Sequence, residues 1–331
     1  MKKINLLNTL LIVLSFLLAF LLPFKLLLLS YAILGPLHYL TEINWIKNKD
    51  FFVEKSKIWL ISCCFFTVII TIPLFFRIHF IYNFFKNSFI ETSVVWLSHY
   101  INIAIFLSLY LAIILSFKIN YKQLFIYSLL GFLVAVLLIH FNFFHIWIGL
   151  FLPTIIHVYV FTILFMLYGS FKDNNPIGYI NILLLLLTPL GIYFIEIKPP
   201  GFSENILKTY VNNNFHLLNI KIAELLNLSE GNNFDFLNIK SLKIQMFISF
   251  AYTYHYLNWF SKTTVIGWYK KTTTKQLLTI GTLWLLSIII YFYDYRKGFI
   301  LLFFLSFIHV LLEFPLNILS IKGIAKKIFR R

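Results

Sequence analysis

The chain predicts an all-α fold: a polytopic integral-membrane bundle of about ten helices. Three observations carry that reading. Of 331 residues, 60% are hydrophobic and only 12% charged, with a mean hydropathy of +0.85; a soluble chain of this length needs far more polar surface. Apolar stretches of roughly 17–25 residues, the length that crosses a hydrocarbon core, follow one another along the chain. Lys and Arg gather in alternate connections, the bias that orients membrane helices.

The expected spans are 4–22, 25–46, 58–76, 92–117, 122–141, 145–168, 178–196, 244–260, 276–293 and 299–320. Met1-Lys2-Lys3 and the apolar run behind it have the outline of a signal peptide. No small-residue cleavage site follows and a second apolar stretch begins almost at once, so the run reads as an uncleaved first span. Only Pro23-Phe24 separates the first two stretches, which therefore form either two spans or one kinked or re-entrant entry. The whole of 1–331 reads as a single membrane domain, in which residues 197–243 form the one long extramembrane segment. Within it Leu207, Val211, Phe215, Leu218, Ile222, Leu225 and Leu226 recur at helical spacing, as in an amphipathic helix on the interface. Its Asn-rich flanks, Asn212-Asn213-Asn214 and Gly231-Asn232-Asn233, read as turns.

With the N-terminus inside, the clusters Lys2-Lys3, Lys47 with Lys49, Lys55 with Lys57, Lys270-Lys271 and Lys326-Lys327 all fall on the inner side. Both termini are expected in the cytoplasm, and the setting expected is a bacterial inner membrane. The net charge of +16 reports this bias and an attraction to anionic headgroups; no soluble basic domain exists for a nucleic acid. Cys63 and Cys64, adjacent within one span, suit neither a structural disulfide nor a thiolate metal site and read as packing. No phosphate loop, nucleotide fingerprint or GxSxG elbow is present.

Chemistry is most legible in two His-x-x-x-Glu pairs, His38 with Glu42 and His309 with Glu313. Four residues are about one helical turn, so each pair shares a helix face. Both lie within apolar spans, where an ionisable side chain is costly and marks function by default. The expected topology puts His157 and His255 in the same middle-to-inner part of the membrane. His79, His99, His140, His145 and His216 fall toward the outer side. Neutral imidazole ligates iron, zinc or copper, and a carboxylate one turn away either joins the metal or orients the ring. His38, His157, His255 and His309 are therefore the expected metal ligands, with Glu42 and Glu313 as orienting groups or a proton relay. The blander reading makes each histidine a hydrogen bond between helices. Tyr39 with Trp45, and Tyr256 with Trp259, echo one another near the inner face, and the tryptophans read as an interfacial belt.

The block Gly35-Pro36-Leu37-His38-Tyr39-Leu40-Thr41-Glu42 resembles the Gly-x-x-His-x-x-x-Asp signature of the Brp/Blh family of membrane β-carotene dioxygenases. Gly35 and His38 match, Glu42 stands where the family has Asp, and Tyr39 where it has Gly; no later His-x-x-x-His pair is present. The resemblance implies Fe(II), O₂ and oxidative cleavage of a carotenoid to an aldehyde such as retinal. The partners implied are a lipophilic small molecule and membrane lipids. Membrane desaturases and hydroxylases carry clustered histidine boxes, which His140 and His145 alone do not form. Two other function classes stand beside the enzyme: a transporter whose His/Glu pairs bind protons or a cation, and a structural subunit that uses those pairs to pack helices.

Overall fold

The computed structural model describes residues 2–197, 202–228, 235 and 237–329. The turn expected at 231–233 lies outside them. Every regular element among the described residues is helical, in this order: α1 (Lys2–Leu21), α2 (Pro23–Leu29), a π-wound turn (Ser30–Leu34), α3 (Gly35–Lys47), α4 (Ser56–Phe75), α5 (His79–Phe85), α6 (Phe89–Ser98), α7 (Ile101–Leu115), α8 (Tyr121–Leu138), α9 (Asn142–Phe144), a π-wound segment (His145–Phe161), α10 (Thr162–Asp173), α11 (Pro176–Phe194), α12 (Glu204–Asn212), α13 (His216–Leu225), α14 (Ile239–Lys262), α15 (Thr274–Tyr293) and α16 (Tyr295–Phe329). Short 3₁₀ turns lie at Asp50–Phe52 and Trp268–Lys271.

Among the described residues eight helices are long and apolar enough to cross a membrane. A ninth is formed if α6 and α7, bent by 57° at their junction, count as one span. The difference from ten is α14, which has the length of a span but not the apolar composition. Its physical reason is burial: a helix that meets protein on most sides has no lipid-facing surface to keep greasy.

The chain packs as two compact units, Met1–His38 with Ile155–Arg296, and Tyr39–Thr154 with Lys297–Arg331. In the first unit α14 is central, packed against α1, α2, the first π-wound turn, α11 and α13. Ser241, Gln245, Ser249 and Thr253, spaced by four, form a buried polar stripe along it. Three of them have partners: the Ser241 carbonyl accepts from Asn219 Nδ2 at 2.9 Å, Gln245 Nε2 donates to the Pro23 carbonyl at 3.1 Å, and Thr253 shares a hydrogen with Ser30 at 2.8 Å. Tyr210 from α12 donates its hydroxyl to Gln245 Oε1 at 2.6 Å.

The π-wound turn releases backbone carbonyls, which at membrane depth need partners. Tyr295 donates to the Leu28 carbonyl at 3.0 Å and Trp284 Nε1 to that of Ile33 at 2.8 Å. On the opposite flank Asn8 of α1 accepts from both Tyr254 and Ser261 at 3.2 and 3.1 Å. The segment between α11 and α14 forms two helices rather than one continuous helix. The break lies at Asn213–Phe215, where Asn214 adopts φ +61°, a left-handed conformation that asparagine tolerates. Tyr210, Leu218 and Ala223 are buried, and Leu225 and Leu226 point outward.

In the second unit α4 packs on α6 and α7, and α7 on α8. Gly131 of α8 lets the Tyr110 ring of α7 lie against the backbone, in the space a Cβ would fill. Gly149 does the same for Asn102, whose Nδ2 donates to His145 Nδ1 at 2.6 Å while His145 Nε2 donates to the Ile139 carbonyl at 2.8 Å. His145 is thereby a helix-packing residue. Cys63 and Cys64 are free thiols, Cys63 buried in α4.

Candidate metal centre

Three of the four expected ligands lie in the first unit, each from a different stretch of chain, with His38 and His157 each beside His255. His38 stands one turn into α3, just after the π-wound turn. His157 stands one turn past Pro153 in the long π-wound segment. His255 stands in the buried middle of α14. Their relative exposures are 1%, 1% and 7%. His38 Nε2 and His255 Nε2 are 3.1 Å apart with ring centroids 4.7 Å apart, and the His157 ring is centred 5.0 Å from that of His255.

The protonation of His255 follows from its neighbour. Thr162 Oγ1 lies 3.0 Å from the Val158 carbonyl and 2.8 Å from His255 Nδ1. A hydroxyl has one hydrogen, and a carbonyl can only accept it. Given to Val158, that hydrogen leaves Thr162 an acceptor toward His255, so Nδ1 carries the ring hydrogen and Nε2 carries a lone pair. The lone pair faces His38. Two nitrogens each about 2.1 Å from one metal ion are about 3.0 Å apart at a right angle and about 3.4 Å apart at the tetrahedral angle. The observed 3.1 Å falls in that interval. With no cation bound, the same spacing accommodates a hydrogen bond from His38 to His255.

Aromatic rings from α14 enclose His38: Tyr256, Trp259 and Phe260 have centroids 5.2, 5.7 and 6.5 Å away. Trp259, read from sequence as interfacial, is 6% exposed and forms part of this wall; Trp45, 6% exposed, lies against Phe52 in the second unit. The wall keeps the nitrogen cluster dry, which strengthens any charge held there.

The remaining expected residues belong to the second unit. Glu42 lies one turn beyond His38 on α3; His309 and Glu313 lie one turn apart on α16. Their exposures are 2%, 2% and 8%. His309 Nδ1 donates to the Ser306 carbonyl at 2.5 Å, which again leaves the lone pair on Nε2. The ring stacks on Tyr39, with centroids 4.5 Å apart and planes inclined by 27°. His309 and Glu313 offer ligand atoms within 4.8 Å of one another. Asn317, one turn beyond Glu313 on α16, is 3% exposed.

Two contributors escaped the sequence. Thr162 is one threonine among several in apolar spans, and only its place beside His255 sets it apart. Tyr39, the residue after His38, gave no signal of the part it plays, which is to stack its ring on His309. Comparison of the chain with protein-family models, with curated proteins and with solved structures finds no match.

Proposed function

We propose that this integral-membrane protein is a metalloenzyme. In this reading its first unit holds a transition metal through His38, His157 and His255, and it acts oxidatively on a lipophilic polyene of the carotenoid class. The observation that carries the metal reading is the His255 Nε2 lone pair, fixed by Thr162 and placed 3.1 Å from His38 Nε2. Three neutral imidazoles suit a divalent first-row ion, leave its charge uncompensated and keep coordination positions open. Fe(II), which the Brp/Blh resemblance implies, would supply the O₂ chemistry. The chain's own part is to hold the ligand nitrogens, fix their tautomers and exclude water with the Tyr256–Trp259–Phe260 wall. The lysine bias supports a bacterial inner membrane with both termini in the cytoplasm.

The test is purification from β-carotene-producing bacteria, with metal analysis and pigment extraction. The expected result is bound iron, lowered by one equivalent per chain in His38→Ala and in His255→Ala, together with bleached carotenoid and a retinal-like aldehyde. Metal without bleaching overturns the polyene substrate. A chain without metal that leaves the carotenoid intact overturns the whole reading and favours histidines that only join helices.

A further inference from the structure

We infer that the second unit carries a lipid site: a cavity beside α4, α5 and α6 that takes the headgroup of a phospholipid bearing a primary ammonium, as phosphoethanolamine does. The inference needs no metal in the first unit and is independent of the polyene reading.

The local sequence makes the cavity. α4 stops at Phe75, and two tight turns follow, from Arg77 N–H to the Leu74 carbonyl and from Ile78 N–H to that of Phe75, both at 3.0 Å. They lead the chain into the short α5, and Asn87, at φ +60°, turns it again into α6. α4 and α6 pack together, and the space beside them and α5 is a cavity of about 330 Å³. One spanning helix ends at Phe75 and the bent α6–α7 span begins at Phe89. The cavity therefore lies where two spans end, which is the depth of phospholipid headgroups. Phe80, Phe84 and Phe89 nearby are strongly exposed, an apolar surface suited to lipid.

Four polar side chains line the cavity: Arg77, Tyr82, Glu91 and Ser98. The Glu91 carboxylate is fixed by the start of its own helix, where Asn87 N–H donates to Oε2 at 2.6 Å. The dipole of that helix end favours its charged form. Ser98 gives its hydrogen to the Val95 carbonyl at 2.7 Å, which leaves its oxygen an acceptor. Arg77 can only donate, and Tyr82 has a hydroxyl hydrogen to give. Among the described residues Arg77 and Glu91 do not form an ion pair with one another.

Charge decides the class of occupant. Opposite charges that line one cavity without pairing are matched by a ligand that holds both signs apart. Inorganic phosphate or an anionic headgroup satisfies Arg77 but meets Glu91. A trimethylated ammonium supplies the charge but offers Glu91 and Ser98 no N–H. A phosphate joined to a primary ammonium satisfies all four groups: the phosphate accepts from the Arg77 fork and from Tyr82, and the ammonium donates to Glu91 and Ser98. Val94 and Val95 give the cavity an apolar wall along which the acyl chains continue.

The experiment uses full-length, delipidated protein in detergent. It is titrated with short-chain phosphatidylethanolamine, phosphatidylglycerol and phosphatidylcholine, with bound lipid counted by native mass spectrometry and folding checked by a thermal melt. The expected result is one phosphatidylethanolamine per chain, held more tightly than the other two lipids. Glu91→Gln keeps an oxygen for the Asn87 N–H; it should weaken the ethanolamine lipid about fivefold, the size of the better exposed ion pairs, and erase its preference over the glycerol lipid. Arg77→Gln should weaken both of those lipids. Val95→Trp, at a well-exposed position, should block all three while melting as wild type. The inference is overturned if the wild-type chain shows no preference for the ethanolamine lipid, or if folded Glu91→Gln retains that preference. It is equally overturned if glycerophosphoethanolamine, the same headgroup without acyl chains, competes as well as the lipid, which would make the occupant a soluble zwitterion.

Discussion

Thr162→Val is the most direct probe of the first-unit metal reading. Valine keeps the branched shape but removes the oxygen that lies 2.8 Å from His255 Nδ1 and 3.0 Å from the Val158 carbonyl. Two costs follow. The ring N–H is left buried without its acceptor, worth about 1–3 kcal/mol of stability. The ring is also released from the tautomer that presents its lone pair to His38, and loss of such an orienting partner lowers metal affinity about 10–100-fold. At about 1.4 kcal/mol per factor of ten, the second cost is about 1.4–2.8 kcal/mol. A competitive titration against a chromophoric chelator measures it, and a thermal melt confirms that the variant is folded. Thr162→Ser restores the hydroxyl and should recover most of the lost affinity. A folded Thr162→Val with wild-type affinity, or a serine variant as weak as valine, refutes the argument that Thr162 sets the tautomer.

Asn102→Ala should destabilise the second unit by about 0.6–1.7 kcal/mol, the range of polar contacts between membrane helices, while leaving metal content unchanged. Equilibrium unfolding in detergent and metal analysis read the two effects separately. Gly131→Leu forces a side chain into the space of the Tyr110 ring; overpacking of this kind costs about 1–3 kcal/mol, and a thermal melt should show it. Tyr210→Phe removes the hydroxyl that bonds Gln245 and should speed proteolytic cutting between α12 and α13; unchanged cleavage would show that the bond does not anchor the segment. His216 responds to pH. Burial lowers its pKa from the ordinary 6.5, so below that value the unfolded segment takes up protons more readily than the folded one. Docking of α13 should therefore loosen as pH falls through about 6.5 and should lose that dependence in His216→Gln, read by hydrogen exchange.

The apolar spans were legible because lipid-facing helices have to be greasy over their whole length, and eight of the expected ten recur as helical stretches long and apolar enough to cross a membrane. The 92–117 stretch shows how composition misses shape: it bends by 57° between α6 and α7, at the break after Ser98. The 197–243 segment shows how periodicity misses a turn, since one stripe of leucines covers two helices whose break at Asn214 leaves Leu225 and Leu226 outside. At the site, His38, His157 and His255 were legible as costly residues of similar expected depth. Their relation to Thr162 was not, because the hydrogen bond joins residues far apart in the chain. Trp259 was misread as interfacial because tryptophan is equally at home at a headgroup and in an aromatic wall.

The polarity of α14 sets an order of assembly. A helix carrying Gln245, Thr253, His255 and Asn258 is a poor candidate to partition into lipid by itself, because each unsatisfied polar group there costs several kcal/mol. The Pro23 carbonyl, Ser30 and Asn8 lie more than 200 residues earlier in the chain. A ribosome has therefore delivered the partners of α14 well before α14 emerges, and the helix enters a slot already lined with acceptors. Damage to Asn8 or to the π-wound turn should then appear as a biogenesis defect, with α14 left outside the bilayer and the chain sent to quality-control proteases.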